Sequence, residues 1–416
     1  MAEEIWTVGR ILSWIEGFLA EHGDAGAKRS ARWLVAEALA VSPIQLYADL
    51  ERPLSGEERT VLRDYTRRRA AGEPLQYITG TTDFRFITVK VRKGVLIPRP
   101  ETEVLVSEAL AELKPRLRAM RDAVETERLR SLAAASGAGA EGLDGSSELG
   151  AAVAAEGGSD AGAAFTRVAD GGHGYENGRG AGSGAGPHSH AAGNEATISF
   201  GVDGIPGDAP ADAVEDGADG NGAPVPDAAE SAGGDGAVSR SEIRVVDACT
   251  GTGCVACAIA SEVPEARVIA TDIAPEATAL TRENASDLGL SDRVSVVEGD
   301  LLSGLPADWA GRTDLVISNP PYIPTRVLGR MDAEVVDFEP RLALDGGGDG
   351  LDLYRRLLPQ AFGLLSAQGV LAVELHETRL NEAARLAQAA GFAQVRVACD
   401  LAGRQRVLVA RKIGKE

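Results

Sequence analysis

Ile243-Arg244-Val245-Val246-Asp247-Ala248-Cys249-Thr250-Gly251-Thr252-Gly253 is the stretch on which the fold turns. Its apolar start reads as a strand. Its glycines read as a sharp turn that opens onto a helix and lets the backbone approach a ligand. The spacing is not the G-x-G-x-x-G of dinucleotide-binding folds. From Glu242 onward, strand and helix patterns alternate. After Ile243–Ala248 the expected strands are 267–272, 294–299, 314–318, 370–375, 394–399 and 406–411, with helices between most of them, such as 275–288, 351–365 and 380–390. This alternation predicts an α/β protein with a doubly wound seven-stranded sheet and a ligand crevice at the carboxyl ends of the strands. The last two strands are close in sequence, so the seventh is expected to pair antiparallel.

Upstream the pattern is different. Residues 1–80 read as a small helical domain, in which Trp6, Ile11, Leu12, Trp14, Ile15, Phe18 and Leu19 recur near helical spacing. Ser30 is a candidate cap for a second helix. A third helix, from about Gly56, carries Arg63, Arg67, Arg68 and Arg69, a face that is either solvated or a docking surface for RNA or an acidic partner. Residues 81–130 read as a β-hairpin and a connecting helix. Residues 84–91 alternate like a strand that Val95-Leu96-Ile97 is placed to pair with. Pro98-Arg99-Pro100 then breaks the pattern, and a helix starts near Glu101 with acids in its first turn.

Residues 131–241 read as a disordered acidic insertion rich in glycine and alanine. The chain's formal charge of −20 is concentrated there, where roughly 17 acids face 3 arginines. With few large apolar residues, such a segment buries too little surface to offset its ordering entropy. Its His173, His188 and His190 have no metal-ligand spacing, and no metal site is expected in the chain. The remaining segment, 242–416, is the α/β domain. Outside the insertion the balance is only mildly acidic, which gives no electrostatic support for tight nucleic-acid binding. No stretch has the ~18 uninterrupted apolar residues of a membrane span, and Met1 to Arg10 lacks a basic leader. Four cysteines in 416 residues suggest no disulfide framework. A cytoplasmic protein is expected.

Four features mark a site. The glycine-containing turn places Asp247, Cys249, Thr250, Gly251, Thr252 and Gly253 at the end of the first strand of the sheet. Asp272 ends the second strand, where an acid can accept both hydroxyls of a ribose. Asp300 ends the third, where an acid can accept an adenine amino hydrogen while Leu301 packs on the ring. After the fourth comes Asn319-Pro320-Pro321-Tyr322. Its prolines carry no N–H and have fixed φ. The Asn319 side-chain oxygen and the Pro320 carbonyl can then serve as paired acceptors for one NH2 group, which predicts chemistry on an amide or amino nitrogen. Each feature alone is equally a strand-end turn; their order after four consecutive strands is harder to explain that way.

This order resembles the class I S-adenosylmethionine-dependent methyltransferases, and the N-P-P-Y string narrows it to those acting on planar-system nitrogens. Gly72-Glu73-Pro74-Leu75-Gln76-Tyr77-Ile78-Thr79-Gly80, Leu96-Ile97-Pro98-Arg99-Pro100-Glu101-Thr102-Glu103 and Phe338-Glu339-Pro340-Arg341 narrow it again. With the helical start, they are similar to the peptide chain release factor glutamine methyltransferases (the PrmC/HemK family). The resemblance implies methyl transfer to the side-chain amide (N5) of the glutamine in the Gly-Gly-Gln loop of class I release factors. It also implies that the helical domain helps dock that factor, with no direct nucleic-acid substrate and no membrane partner. Carried over by position, Asp247, Cys249, Thr250, Gly251, Thr252, Gly253, Asp272, Asp300 and Leu301 would hold the cofactor. Asn319 would touch cofactor and substrate, and Pro320, Pro321 and Tyr322 would hold the substrate glutamine. Two positions depart from the family pattern: Cys249 stands where glycine is usual, and Glu374-Leu375-His376 where Glu-x-Gly is frequent.

Two other readings compete. A nucleic-acid N-methyltransferase shares N-P-P-Y, although it would usually carry a basic target-binding domain. A non-catalytic binding protein that kept the fold would fail to bind the cofactor. Cys254-Val255-Ala256-Cys257 sits at a helix start, where thiolates are stabilised, but without thioredoxin-like surroundings small buried side chains are the simpler expectation.

Overall fold

The computed structural model describes residues 5–135, 242–400 and 402–414. The insertion expected over 131–241, with its three histidines, lies outside the described residues from position 136 onward.

Three helices open the chain, α1 (Val8–Glu21), α2 (Ala27–Ala38) and α3 (Gly56–Ala70). Ile11, Ile15 and Leu19 share one face of α1 and meet Leu34, Val35 and Leu62 in a common core. A capping box starts α3: the Glu58 N–H donates to the Ser55 hydroxyl while the Ser55 N–H donates to the Glu58 carboxylate. Ser30 does not cap α2, which has already begun at Ala27. Asp24 organises that start instead, accepting the Gly26 N–H at 2.8 Å and the Ser30 hydroxyl at 2.6 Å.

Three of the arginines on α3 are paired within the protein. Arg67 pairs with Asp64, Arg68 with Glu73, and Arg69 with both Asp24 and Glu334. The Arg69 and Asp24 side chains are only 12% and 7% exposed. Burial pushes the Asp24 carboxyl up, but the bonds from Arg69, Ser30 and Gly26 outweigh it and leave it below the usual range. Arg69→Ala strands a mostly buried carboxylate and is expected to destabilise the fold by about 3 kcal/mol. A lower urea midpoint, partly restored by adding Asp24→Asn, would agree with this; an unchanged midpoint would not.

A short helix, α4 (Leu75–Thr79), leads into the expected hairpin. Its pairing differs from the sequence reading: β1 (Thr81–Phe84) pairs antiparallel with β2 (Ile87–Lys90). Arg85 breaks the alternation by adopting φ +53°, held by the Glu262 carboxylate at 2.8 Å and the Ser107 hydroxyl at 2.6 Å. Val95-Leu96-Ile97 forms no strand. Val95 and Ile97 are buried, and Pro98 and Pro100, with no N–H to give a ladder, close the segment.

Helix α5 (Pro100–Ala135) starts with proline at a position that needs no N–H and carries Glu101 and Glu103 in its first turn. The seven-stranded sheet follows, built from β3 (Ile243–Ala248), β4 (Ala266–Asp272), β5 (Val294–Glu298), β6 (Thr313–Ser318), β7 (Leu365–Glu374), β8 (Ala393–Cys399) and β9 (Gln405–Arg411). Its spatial order is β5-β4-β3-β6-β7-β9-β8. The first five run parallel, and β9 lies antiparallel to both β7 and β8, as the sequence reading expects. The longer helices between strands are α6 (Cys254–Glu262), α7 (Pro275–Asp287), α8 (Asp352–Leu364) and α9 (Leu380–Ala389).

Side chains alternate across the strands with period two. Val245, Leu315, Val370 and Val409 point to one face, where Leu105, Val106, Ala109 and Leu113 of α5 and Val255 and Ile259 of α6 cover them. Val246, Val316, Leu371 and Leu408 point to the other, under Leu357, Leu358 and Ala361 of α8 and Leu380, Ala383 and Ala387 of α9. Every residue of β6 is buried. The parallel pairing brings the carboxyl ends of β3, β4, β5 and β6 to one edge, and the cavity opens there.

Candidate active site

One cavity at that edge is lined by Asp247, Cys249, Thr250, Gly251, Thr252, Asp272, Asp300, Leu301, Asn319 and Pro321. Gly253, Pro320 and Tyr322 are not among its lining residues. The cavity's other walls come from Val95 to Arg99, Thr102, Ile273 and Leu342, which the sequence reading did not place there. Ile273 had a signal: a large apolar residue directly after a strand-end acid, 54% exposed here.

The turn after β3 is held from beneath. Asp247 is buried, and its Oδ2 accepts the Thr250 hydroxyl at 2.6 Å and the Ala256 N–H at 3.1 Å. Both bonds brace the turn against the start of α6. Burial pushes its carboxyl up to about 7; the Thr250 and Ala256 bonds oppose the rise and nearby Asp272 adds to it. Because this pKa is raised on folding, protonation favours the folded state. The group's contribution is therefore full below about pH 4 and lost as pH rises through about 7. Asp247→Asn keeps an acceptor without the charge. The wild type is expected to lose about 4 kcal/mol more than the variant between these limits. Urea unfolding across that range checks this; parallel curves would contradict it.

Gly253 ends the turn at φ +78°, where a Cβ would lie 2.6 Å from Thr281 Cγ2. Only glycine lets α7 pack this closely. Asn284 of α7, also buried, donates to the carbonyls of Thr252 at 2.8 Å and Lys90 at 3.0 Å, and so ties the turn to the hairpin. Cys249 adopts φ +58°, a conformation that costs a non-glycine residue roughly 1 kcal/mol. Its thiol is pushed up by burial and by Asp272. Cys254 and Cys257 are buried as well, and burial raises both thiols, Cys257 to about 12. The helix start does not produce thiolates there, because desolvation dominates.

Asp272 Oδ2 accepts the Gly251 N–H at 2.9 Å and Oδ1 the Ala274 N–H at 3.0 Å. Each carboxylate oxygen keeps further acceptor capacity beside the cavity. Burial raises its pKa, with these N–H bonds opposing. Asp300 is exposed, and Arg356 takes up its Oδ2. Leu301 sits at φ +54°. The Thr271 hydroxyl, which donates to the Leu301 carbonyl at 2.7 Å, and Gln360, which accepts the Leu302 N–H at 3.1 Å, hold it there.

The turn after β6 is clamped from behind. Gly346 donates its N–H to the Ile323 carbonyl at 2.8 Å, and a Cβ on it would lie 2.7 Å from Tyr322 Cα. The Asn319 side-chain amide donates to the Thr102 hydroxyl at 3.0 Å, and the Tyr322 hydroxyl donates to Glu374 at 3.1 Å. His376 lies outside the cavity lining and contacts Thr378 at the start of the turn to α9. The three strings that narrow the sequence resemblance meet in space. Tyr77, Ile97 and Phe338, one from each, pack in one cluster, and Arg99 pairs with the buried Glu339 at 2.7 Å.

Comparison with known proteins agrees with this construction. A family model described as the PrmC N-terminal domain matches residues 10–80, and one described as a methyltransferase small domain matches 237–334. The chain is 29% identical over 408 residues to the release factor glutamine methyltransferase of Geobacter sulfurreducens, covering 98% of each chain. It is 26% identical over 408 residues to that of Rhodopirellula baltica, 98% of this chain and 97% of the other. A shorter stretch of 167 residues is 46% identical to the protein of the same name from Moorella thermoacetica, 40% of this chain and 58% of that one. The chain is a methyltransferase, and over almost its whole length it is similar to release factor glutamine methyltransferases.

Proposed function

We propose that this methyltransferase acts in the cytoplasm on the Gly-Gly-Gln glutamine of class I peptide chain release factors, methylating its side-chain amide nitrogen with S-adenosylmethionine as donor. The observation that carries this reading is the position of Asn319. It lines the same cavity as Asp272, Asp300 and the turn after β3, and its amide nitrogen is turned away onto Thr102. Its oxygen is thereby left to accept. The donor set suits the cofactor: Asp272 retains acceptor capacity for a ribose, Asp300 keeps one oxygen free of Arg356 for an amino group, and Leu301 offers an apolar surface.

When bound, S-adenosylmethionine supplies a methyl group on a sulfonium already activated for direct transfer. The chain's own task is then to bind and orient. An amide nitrogen is a poor nucleophile because its lone pair is delocalised. Asn319 Oδ1 and the Pro320 carbonyl would accept its two hydrogens, fix its direction and make the nitrogen more electron-rich. Aligned approach of this kind contributes up to about 7–11 kcal/mol in ideal cases. Pro321 and Tyr322 would flank the glutamine and exclude water. The helical residues 1–80, the hairpin and helix of 81–130 and the sheet of 242–416 would form the docking, connecting and transfer domains.

A substrate panel tests this reading against the nucleic-acid alternative, which shares N-P-P-Y. With labelled cofactor, methyl transfer to an unmethylated release factor and none to RNA or DNA is expected. Transfer to nucleic acid alone would overturn it.

A further inference from the structure

We propose that the Thr102 hydroxyl is a positioning group that decides which end of the Asn319 side-chain amide faces the crevice, and that it takes its own orientation from the Glu374 carboxylate. This rests on the reading of Asn319 as the acceptor for a substrate NH2.

The two ends of an amide have nearly the same shape and opposite hydrogen-bonding character. Nothing steric stops Asn319 from rotating and presenting NH2 to the crevice. A substrate NH2 would then meet a donor where it needs an acceptor. A hydroxyl alone does not prevent this, because it can donate or accept. Its choice is set by whatever claims its hydrogen.

Here the claimant is Glu374. Thr102 and Glu374 are both almost fully buried. Tyr322 donates to Glu374 Oε1 at 3.1 Å, whereas Oε2 is buried without a hydrogen-bond partner. Burial pushes the Glu374 carboxyl up, while the neighbouring Thr102 and Tyr322 hydroxyls oppose the rise, Glu101 adds to it and Arg406 opposes it. A buried carboxyl oxygen that lacks any other donor is the acceptor open to the hydroxyl beside it. The Thr102 hydrogen therefore turns towards Glu374, and its oxygen is left to accept Asn319 Nδ2 at 3.0 Å. Asn319 Oδ1 remains for the crevice. The three polar groups form a relay with one direction, and an unpaired buried oxygen at its end is a strong reason for it not to reverse.

Thr102→Val removes the hydroxyl at nearly constant shape, and Thr102→Ser keeps it. With release factor as substrate, the valine variant is expected to lose roughly tenfold in kcat, with cofactor affinity unchanged, while the serine variant recovers most of the loss. A second readout is independent of turnover. Solvent exchange of the Asn319 side-chain NH2, assigned in NMR spectra by its loss in Asn319→Asp, should be slow in the wild type and in Thr102→Ser. It should be roughly tenfold faster in Thr102→Val. Equal exchange in the wild type and the valine variant would overturn the inference, as would full kcat without the hydroxyl. Should valine prevent folding, Thr102→Ala is the second hydroxyl-free variant. If the wild type itself transfers no methyl to the factor, the functional reading fails, and the exchange rates still decide the role of Thr102.

Discussion

Replacing Asn319 with alanine is expected to lower kcat roughly a hundred- to a thousandfold, the range seen when one preorganised hydrogen-bonding group is removed from a reacting centre. On the proposed reading, the variant deletes the side-chain acceptor that would orient the substrate nitrogen and leaves the Pro320 carbonyl to work alone. It also deletes the donor that satisfies Thr102. The cofactor's affinity should move much less, because Asp272, Asp300 and the turn after β3 are untouched. Single-turnover rates with saturating cofactor separate the two effects. A variant that turns over at the wild-type rate would remove Asn319 from the mechanism.

Asp272→Ala is expected to fail in the opposite way. Two consequences would combine: on the proposed reading the ribose would lose a charged acceptor, and the N–H groups of Gly251 and Ala274 lose theirs. Hydrogen bonds to charged groups contribute about 1.5–3 kcal/mol each, so cofactor affinity should fall roughly a hundredfold. Rates at saturating cofactor should change less, since nothing that touches the substrate amide is altered. Calorimetric titration with S-adenosylmethionine reads the effect directly. Affinity within about threefold of the wild type, a change of under 1 kcal/mol, would place the ribose elsewhere.

The features that the sequence disclosed share a physical cause. Strand ends, glycine turns and helix starts are local, and Asp247, Asp272, Asp300 and Asn319 each stand at a strand's carboxyl end, where the parallel sheet must bring them together. The sheet itself was legible because both faces of β3 and β6 are covered, which leaves long apolar runs. The antiparallel β9 followed from the short connection after β8.

What escaped the sequence depends on contacts distant along the chain. Thr102 is an ordinary residue in a helix's first turn until β6 places Asn319 against it. The hairpin was misread because Arg85 takes a left-handed conformation that its own side-chain type disfavours, and its anchor Glu262 is far away in sequence. Ser30 looked like a cap, but Asp24, fixed by Arg69 of α3, starts that helix. The arginines of α3 read as a surface charge run because their carboxylate partners cannot be seen in a linear pattern.

The most direct test is transfer of labelled methyl from S-adenosylmethionine to a purified, unmethylated class I release factor, beside the same factor with its Gly-Gly-Gln glutamine replaced. Label on the first and none on the second is the predicted result. Equal label on both, or none on either while the cofactor binds, would contradict the proposed target.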